Sequence, residues 1–531
     1  MDLAWWQEGI FYQIFLRSFK DSNKNGIGDL IGLISKLDYI KDLGVDAIYI
    51  TPFFPSPYFD SGFDVSDFFD VDPDVGTMED LDELILKSHE KNLKLVIDIP
   101  INHTSLNHEW FVKSSASKDN EFSDFYIWSD EIPNNWLSNF GGSSWTYNET
   151  RKQYYMHSFT KDLPDLNWRC ENLVLKMLDV LYFYLEKGVD GIRLSCTNLI
   201  VKDKDFRNNP KYPGTFINSY FKQRHIFDRN RPISHRILRR IRSLFDTYEN
   251  RVLIGDIVIT PPGEPEVAAS YYGVHKDECH LAFDYTIANS KLTPKLLNSL
   301  SNRWIDACDT SWPAWVLSSH DHKRLVTKFN RNIQKTRLAM MFLLTQRGTP
   351  FLYYGEELGL EDSRIPKSKQ RDLQRRRLFF FQNSRDGARA PMLWDKTVYA
   401  GFSTVKPYLP LGNQKKCVET QEKKDVSMLK YTKKLISLRK NHESLIKGDI
   451  SFIDVHNDNI IAYIRVIDSE ALLVILNFTR KKRTIKFVDI GLPFFTKESV
   501  FSTNPLSKSP NYSKTEIFLN GYEGAIYSID I

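Results

Sequence analysis

The sequence predicts an α/β protein: a (β/α)8 TIM barrel with an inserted subdomain after its third strand and a C-terminal all-β sandwich. Three observations point there. Over most of the first 450 residues, short apolar runs rich in β-branched and aromatic residues alternate with segments of helical spacing, the mark of parallel strands joined by crossover helices. The alternation stops for some 60 residues after "INHTS" (101–105), in a stretch rich in Trp, Asn, Ser and Gly, and then resumes. From about residue 450 the pattern turns to strands alone, which is the signature of a separate sandwich.

The elements follow in order. "IFYQIFLRSF" (10–19) reads as the first strand and "DLIGLISKLDYIKDLG" (29–44) as its helix, with apolar residues at helical spacing. "DAIYIT" (46–51) is a buried strand, "MEDLDELILKSHEKN" (78–92) a helix and "LKLVIDIP" (93–100) the third strand. The irregular insertion that follows is too long for a plain linker and reads as a lid or small subdomain. "NLVLKMLDVLYFYLEKG" (172–188) is the next helix and "VDGIRLS" (189–195) the fourth strand. "RVLIGD" (251–256), "CHLAFDY" (279–285), "AWVLSS" (314–319) and "TPFLYYG" (349–355) bring the count to eight, the number that closes a barrel. "SFIDVH", "IIAYIRVI", "ALLVILNF" and "AIYSIDI" belong to the sandwich. The expected divisions are therefore 1–103 and 169–447 for the barrel, 104–168 for the insertion and 448–531 for the sandwich.

Composition narrows the function. A chain of 531 residues exceeds one ordinary domain. Its 42% hydrophobic and 26% charged residues are ordinary for a soluble globular protein. The net charge of +4 is small, and the basic cluster "RDLQRRR" (371–377) reads as a helix face rather than a nucleic-acid patch. Five scattered cysteines, with no C-x-x-C pair, fit free thiols in a reducing cytosol rather than a disulfide framework or a zinc site. The N-terminal stretch lacks a signal-peptide pattern, and no run of about 18 apolar residues predicts a membrane span. A cytoplasmic protein is expected, with neither nucleic acid nor membrane as partner.

In such barrels the chemistry sits at the C-terminal ends of the strands. Polar residues recur there: Asp60 and Asp64, Asp98 and His103, Arg193, Asp256, and His320 with Asp321. Any one of them alone reads first as a cap or turn former. Their recurrence after strand upon strand, as carboxylates, a forked guanidinium and imidazoles around one mouth, suits sugar hydroxyls and glycosidic chemistry.

Four stretches resemble motifs of the alpha-amylase superfamily, glycoside hydrolase family 13: "DIPINHTS" (98–105), "GVDGIRLS" (188–195), "VLIGDIV" (252–258) and "LSSHDHKR" (317–324). "DSGFDVSDF" (60–68), "DLPDLNW" (162–168), "GTPFLYYGEELG" (348–359) and "SRDGARAPMLWD" (384–395) support its bacterial alpha-glucosidase and oligo-1,6-glucosidase branch. The resemblance runs in family order over nearly the whole chain. It implies cleavage of alpha-glucosidic bonds with retention, through two carboxyl groups about 5–5.5 Å apart. It places the nucleophile aspartate at Ser195 and the acid/base glutamate at Asp256, and it keeps the third carboxylate as Asp321. It further implies sugar contacts from Arg193, His103 and His320, stacking by Phe63 in place of a tyrosine, and a grip on the terminal 4-hydroxyl by Asp60 and Arg389. Ser319 and Leu163 stand where the family has asparagine and glutamine.

The departures thus fall on the chemistry. A serine needs an adjacent base to act as nucleophile and brings no charge to an oxocarbenium-like transition state. Asp256 is one methylene short, a retreat of about 1.5 Å. Asp190 offers no substitute, being five residues before Ser195 on the opposite strand face. Three readings stand: an alpha-glucosidase active or feebly active through a non-standard site, a non-catalytic relative that binds a sugar or a protein, and a decayed gene product. The substrate class in view is an alpha-glucosidic oligosaccharide of the maltose type.

The loop "DSNKNGIGD" (21–29) spaces oxygen-bearing groups at alternate positions around Gly26. Asp21, Asn23, Asn25, the Ile27 carbonyl and Asp29 match the cation loop of this branch, which has aspartate where Asn25 stands. A structural Ca2+ or Mg2+ is one reading; an Asx-rich turn without metal is the other. No cofactor is expected for the chemistry.

Overall fold

A computed structural model describes residues 3–214, 219–258, 263–372, 384–491, 499–503, 511–512 and 515–529. Eight parallel strands close into a barrel: Phe11–Ile14, Ala47–Ile50, Lys94–Pro100, Gly191–Ser195, Val252–Ile257, Leu281–Asp284, Ala314–Val316 and Thr349–Tyr353. Each pairs with its neighbours in chain order, and the first pairs with the eighth.

The two-residue period of these strands sorts their side chains into two sets. Phe11, Tyr49, Val96, Val252, Ile254, Leu281, Phe283, Val316 and Phe351 form one buried cluster that fills the lumen. Ile48, Ile50, Leu95, Ile97, Ile192 and Leu253 belong to the core under the helices. Gly191 is glycine because the lumen is full: a Cβ there would lie 2.3 Å from the Val252 side chain. Two residues on from Val96, Gly191 and Ile254, the same face presents Asp98, Arg193 and Asp256 at the upper rim. Asp98 lies opposite Arg193, and Pro100 opposite Ser195, in the ladder of the third and fourth strands.

The crossover helices bury one stripe each. Glu171–Glu186 covers the barrel with Leu173, Val174, Met177, Val180, Leu181, Tyr184 and Leu185, and Met78–Glu90 starts on a Thr77–Asp80 capping box. The stretch 29–44 is two helices rather than the one expected: Leu30–Ile34, capped by Asp29 onto the Gly32 amide, and Leu37–Leu43, closed by left-handed Gly44. The first predicted strand is likewise shortened, since residues 16–18 turn into a 3-10 helix.

Between the third and fourth strands the chain leaves the barrel. This insertion carries the helix Glu109–Ala116 and a three-stranded antiparallel sheet with Gln153–Met156 at its centre. It packs on Ile127, Trp136, Trp145 and Met156. A bridge between His103 and Asp165 closes its neck.

After residue 448 a five-stranded antiparallel sheet runs in the order Asp449–Ile453, Ile460–Ile467, Glu470–Asn477, Gly524–Ile529, Ser499–Ser502, beside a three-stranded sheet centred on Glu516–Leu519. Ala462, Leu473, Ile475 and Tyr527 of the first share a core with Ile485, Ile517 and Leu519 of the second. Fully buried Arg465 donates to the carbonyls of Thr345, Leu445 and Gly448, tying this unit to the barrel. All five cysteines are free. Among the described residues, no helix is long and apolar enough to cross a membrane. Most of the basic cluster 371–377 lies outside the described residues.

Candidate active site

The rim residues open into a cavity of about 300 Å³ at the C-terminal mouth of the barrel. Asp60, Phe63, His103, Arg193, Ser195, Asp256 and Asp321 line it, as do Phe140 and Phe159 from the insertion. The size sits at the small end of ligand sites.

Arg193 organises the floor. Its guanidinium is buried, with Nη1 2.5 Å from Asp98 Oδ2 and Nη2 2.6 Å from Asp256 Oδ2. Burial works against its charge, but Asp256 and Asp98 hold its pKa well above the ordinary range. Burial pushes Asp98 up to about 7, against the pull of Arg193 and a hydrogen bond from Tyr49. Because Arg193 and Ser195 share a strand face, Nη1 also reaches Ser195 Oγ at 3.3 Å.

Ser195 ends its strand. The next residue, Cys196, has left-handed φ 57, a conformation uncommon for a residue with a side chain. That turn aims the Cys196 amide at Asp256 Oδ2, 3.1 Å away, and Thr197 locks it by donating to the Leu194 carbonyl. The Cys196 thiol lies 3.8 Å from Ser195 Oγ. Burial, with Asp256 behind it, raises that thiol far above its ordinary value. Ser195 therefore has a cation and a neutral thiol beside it, and neither is a base. Asp256 has one oxygen tied to Arg193 and Cys196, while its Oδ1 is buried with no hydrogen-bond partner among the described residues.

The opposite wall holds Asp321. Its side chain is 41% exposed to the cavity; desolvation by the surrounding walls raises this carboxyl, yet the charges of Arg385 and Arg389 keep it well below the usual carboxylate range. Arg385 Nη1 and Arg389 Nη2 both meet its Oδ1, at 2.9 and 2.7 Å. His320 is pushed down to about 3 by burial and so is neutral. Its Nδ1 accepts from the Gln13 amide at 2.9 Å, which leaves the proton on Nε2, 3.4 Å from Asp321 Oδ2. Phe63 stacks on that imidazole at 5.1 Å. His103 is likewise lowered by burial, and among the described residues its buried Nε2 has no close hydrogen-bond partner.

The arginine beside Asp60 differs from the one expected. Arg385 Nη2 lies 2.7 Å from Asp60 Oδ1 and 2.8 Å from Asp372 Oδ1. Arg389 sits behind, donating to the His320 carbonyl and Ser61 Oγ. The two arginines are four residues apart in one motif, and the 3-10 turn Arg385–Gly387 decides which one faces the cavity. Sequence reasoning also missed Tyr285 and His322, which stack at 4.8 Å on the cavity wall. His322 Nδ1 pairs with Ser319 Oγ at 2.7 Å, a link that the motif spacing of three residues could have suggested. Leu163 packs with Phe140, Phe159, Cys196 and Leu199. Asp64 stays out of the cavity: it is fully buried and accepts from the Phe59 and Asp60 amides as a turn former.

The 21–29 loop lies apart from these groups, and its side-chain oxygens face backbone donors. Asp21 accepts from the amides of Lys24 and Gly26, Asp29 from those of Ser22, Asn23 and Gly32, Asn23 from Asn25, and Asn25 from Ile27. Asn23 and Asn25 turn their amide nitrogens onto the Asp74 carbonyl. Such a set is a self-satisfied Asx turn; a hard cation would have to draw the same oxygens to itself. Among the described residues, no group of three or more His, Cys, Asp or Glu is placed to hold a metal.

Comparison with known proteins agrees with this architecture. Residues 13–448 match the family model described as the alpha amylase catalytic domain. The chain is 33% identical to the oligo-1,6-glucosidase of Bacillus cereus, over 98% of its own length and 96% of that protein's. It is also 33% identical to an alpha-glucosidase of Culex pipiens, over 96% and 87% of the two chains. The crystal structure of an alpha-glucosyl transfer enzyme, XgtA, superimposes over 100% of both chains with a TM-score of 0.93 at 32% identity. The chain belongs to the alpha-amylase family.

Proposed function

We propose that the chain carries an alpha-glucosidase-like pocket for the terminal glucose of maltose-like oligosaccharides, in which retaining hydrolysis is lost or strongly impaired. One observation carries the reading: Ser195 occupies the end of the fourth strand, and among the described residues its hydroxyl meets Arg193 Nη1 and the Cys196 thiol. Retention needs a nucleophilic carboxylate there and a carboxylic acid across the glycosidic bond. A hydroxyl beside a guanidinium and a neutral thiol has nothing to take its proton. Asp256, at the acid/base place, commits Oδ2 to Arg193 and is one methylene short.

Recognition is better provided for than turnover. Asp60 and Asp321 offer carboxylates for hydroxyl groups, His103 offers a ring nitrogen with His320 just behind the wall, and Phe63 offers an apolar face. Active hydrolysis by a non-standard site is the competing reading, and the unpartnered Oδ1 of Asp256 is what favours it. The free thiols suit a cytosolic setting. The test is hydrolysis of a chromogenic aryl alpha-glucoside at high protein concentration. The expected rate lies several orders of magnitude below about 10 s⁻¹, the median for enzymes; turnover near that median rejects the proposal.

A further inference from the structure

We infer that this site joins glucose to sugar acceptors, taking it from β-configured glucosyl donors with a small anionic leaving group and forming an alpha-glucoside with inversion. The inference rests on the reading above, because it needs the β side of the anomeric carbon to be free of a nucleophile. In a retaining alpha-glucosidase that side is filled by the nucleophile, and the acid/base residue stands on the alpha side. With Ser195 at the strand end, the β side holds a short hydroxyl instead of a carboxylate. Arg193 Nη1, shared with Asp98, donates to Ser195 Oγ at 3.3 Å, which leaves the hydroxyl hydrogen of Ser195 as the donor for that side. Donors fixed where negative charge develops stabilise a departing anion.

The alpha side supplies the complementary group. Asp256 lines the cavity at 5% exposure, and among the described residues its buried Oδ1 has no partner while Arg193 and the Cys196 amide hold Oδ2. A buried carboxylate oxygen with no partner is costly unless it serves something. Here it receives the proton of an acceptor hydroxyl entering past Phe221 and Asn289 on the cavity wall. The balance is simple. The acceptor oxygen bonds to the anomeric carbon, the bond to the leaving group breaks, and its electron pair departs with the anion. The acceptor proton passes to Asp256 Oδ1 and then to water. With no nucleophile to attack it, the alpha-linked product persists.

The experiment uses the full chain with β-D-glucosyl fluoride as donor and p-nitrophenyl alpha-glucoside as acceptor, following fluoride release and the anomeric proton of the product. Acceptor-dependent release at least about tenfold above buffer, with an alpha-linked product, is expected. Asp256→Asn should lower it by about 10²–10⁴-fold and Ser195→Ala by about tenfold. Thermal melts and maltose calorimetry on both variants separate lost chemistry from lost folding. No acceptor-dependent release, free glucose as the only product, or an unchanged rate in folded Asp256→Asn overturns the inference. Those results, with alpha-glucoside hydrolysis also absent, leave the loss of hydrolysis standing. Ordinary hydrolysis of the aryl alpha-glucoside removes that earlier reading, and the inference with it.

Discussion

Restoring both carboxylates should restore hydrolysis, and the roles proposed for Ser195 and Asp256 say why one will not do. Ser195→Asp places a new carboxylate beside an arginine that already holds Asp98 and Asp256. Like charges sharing one cation raise one another's pKa, and Asp256 remains tied and short. A group misplaced by about 1 Å costs on the order of a hundredfold, and general acid help adds about 10²–10⁴. Ser195→Asp alone should therefore cleave maltose at least about a hundredfold more slowly than the Ser195→Asp, Asp256→Glu pair. Asp256→Glu alone should gain nothing over the unaltered chain. The two effects act as a unit, so the coupling is strongly non-additive. The assay compares maltose with alpha-glucosyl fluoride, whose leaving group needs no acid: Ser195→Asp should approach the pair on the fluoride and fall behind on maltose. Equal rates on maltose would falsify the assignment of Asp256 to the acid position. A pair that binds maltose yet stays inert would point to Leu163, Ser319 or Phe63 instead.

Other expectations follow from the same geometry. Arg385→Ala removes the cation shared by Asp60 and Asp372; breaking such buried pairs costs about 3–5 kcal/mol, read as a lowered unfolding midpoint and lost maltose binding in calorimetry. A variant that keeps both would return the role to Arg389. Burial pushes Glu356 up to about 7, so its folded-state pKa exceeds the unfolded value. Its contribution is then complete below about pH 4 and lost as pH rises through 7, by about 3 kcal/mol in all. Wild type should lose stability relative to Glu356→Gln between pH 5 and 8 in denaturant titrations, and a constant difference would count against this. Chelation by EDTA should move the melting temperature by less than about 2 °C, because the Asp21 and Asp29 oxygens already meet backbone amides. A larger drop, reversed by calcium or magnesium, would place an ion in the loop.

The barrel was legible because its signal is periodic: each predicted strand overlaps an observed one, and the two-residue alternation alone puts Arg193 and Ser195 on the lumen face. The boundaries were not. "IFYQIFLRSF" keeps its apolar character past Ile14, but Leu16 hydrogen-bonds to Thr51 Oγ1 instead of continuing the ladder. The break near Ser35 leaves no trace in hydrophobicity, since both short helices bury the same kind of residue. In the site, the residue types at strand ends were readable, while the choice between Arg385 and Arg389 was not. It depends on a one-turn 3-10 segment and on Asp372, thirteen residues upstream. His322 and Tyr285 went unnoticed because nothing in their own spacing tells that the rings stack across two loops.

Arg465 makes the sandwich part of the barrel's hydrogen-bond inventory. Its donors satisfy the Thr345 carbonyl at the end of the helix Ile333–Thr345, the Leu445 carbonyl and the Gly448 carbonyl of the connector. Arg439, on the helix Met428–Asn441, does the same for Leu344, Gln346 and Gly348. The strand that closes the barrel, Thr349–Tyr353, begins in this knot of carbonyls. Cutting the chain at 448 would keep Arg439 but strip the helix end at Thr345 and the connector carbonyls of Arg465, at about 1–3 kcal/mol for each buried group left unpaired. The boundary drawn most cleanly in the sequence is therefore a poor place to truncate, and the two units should melt in one transition.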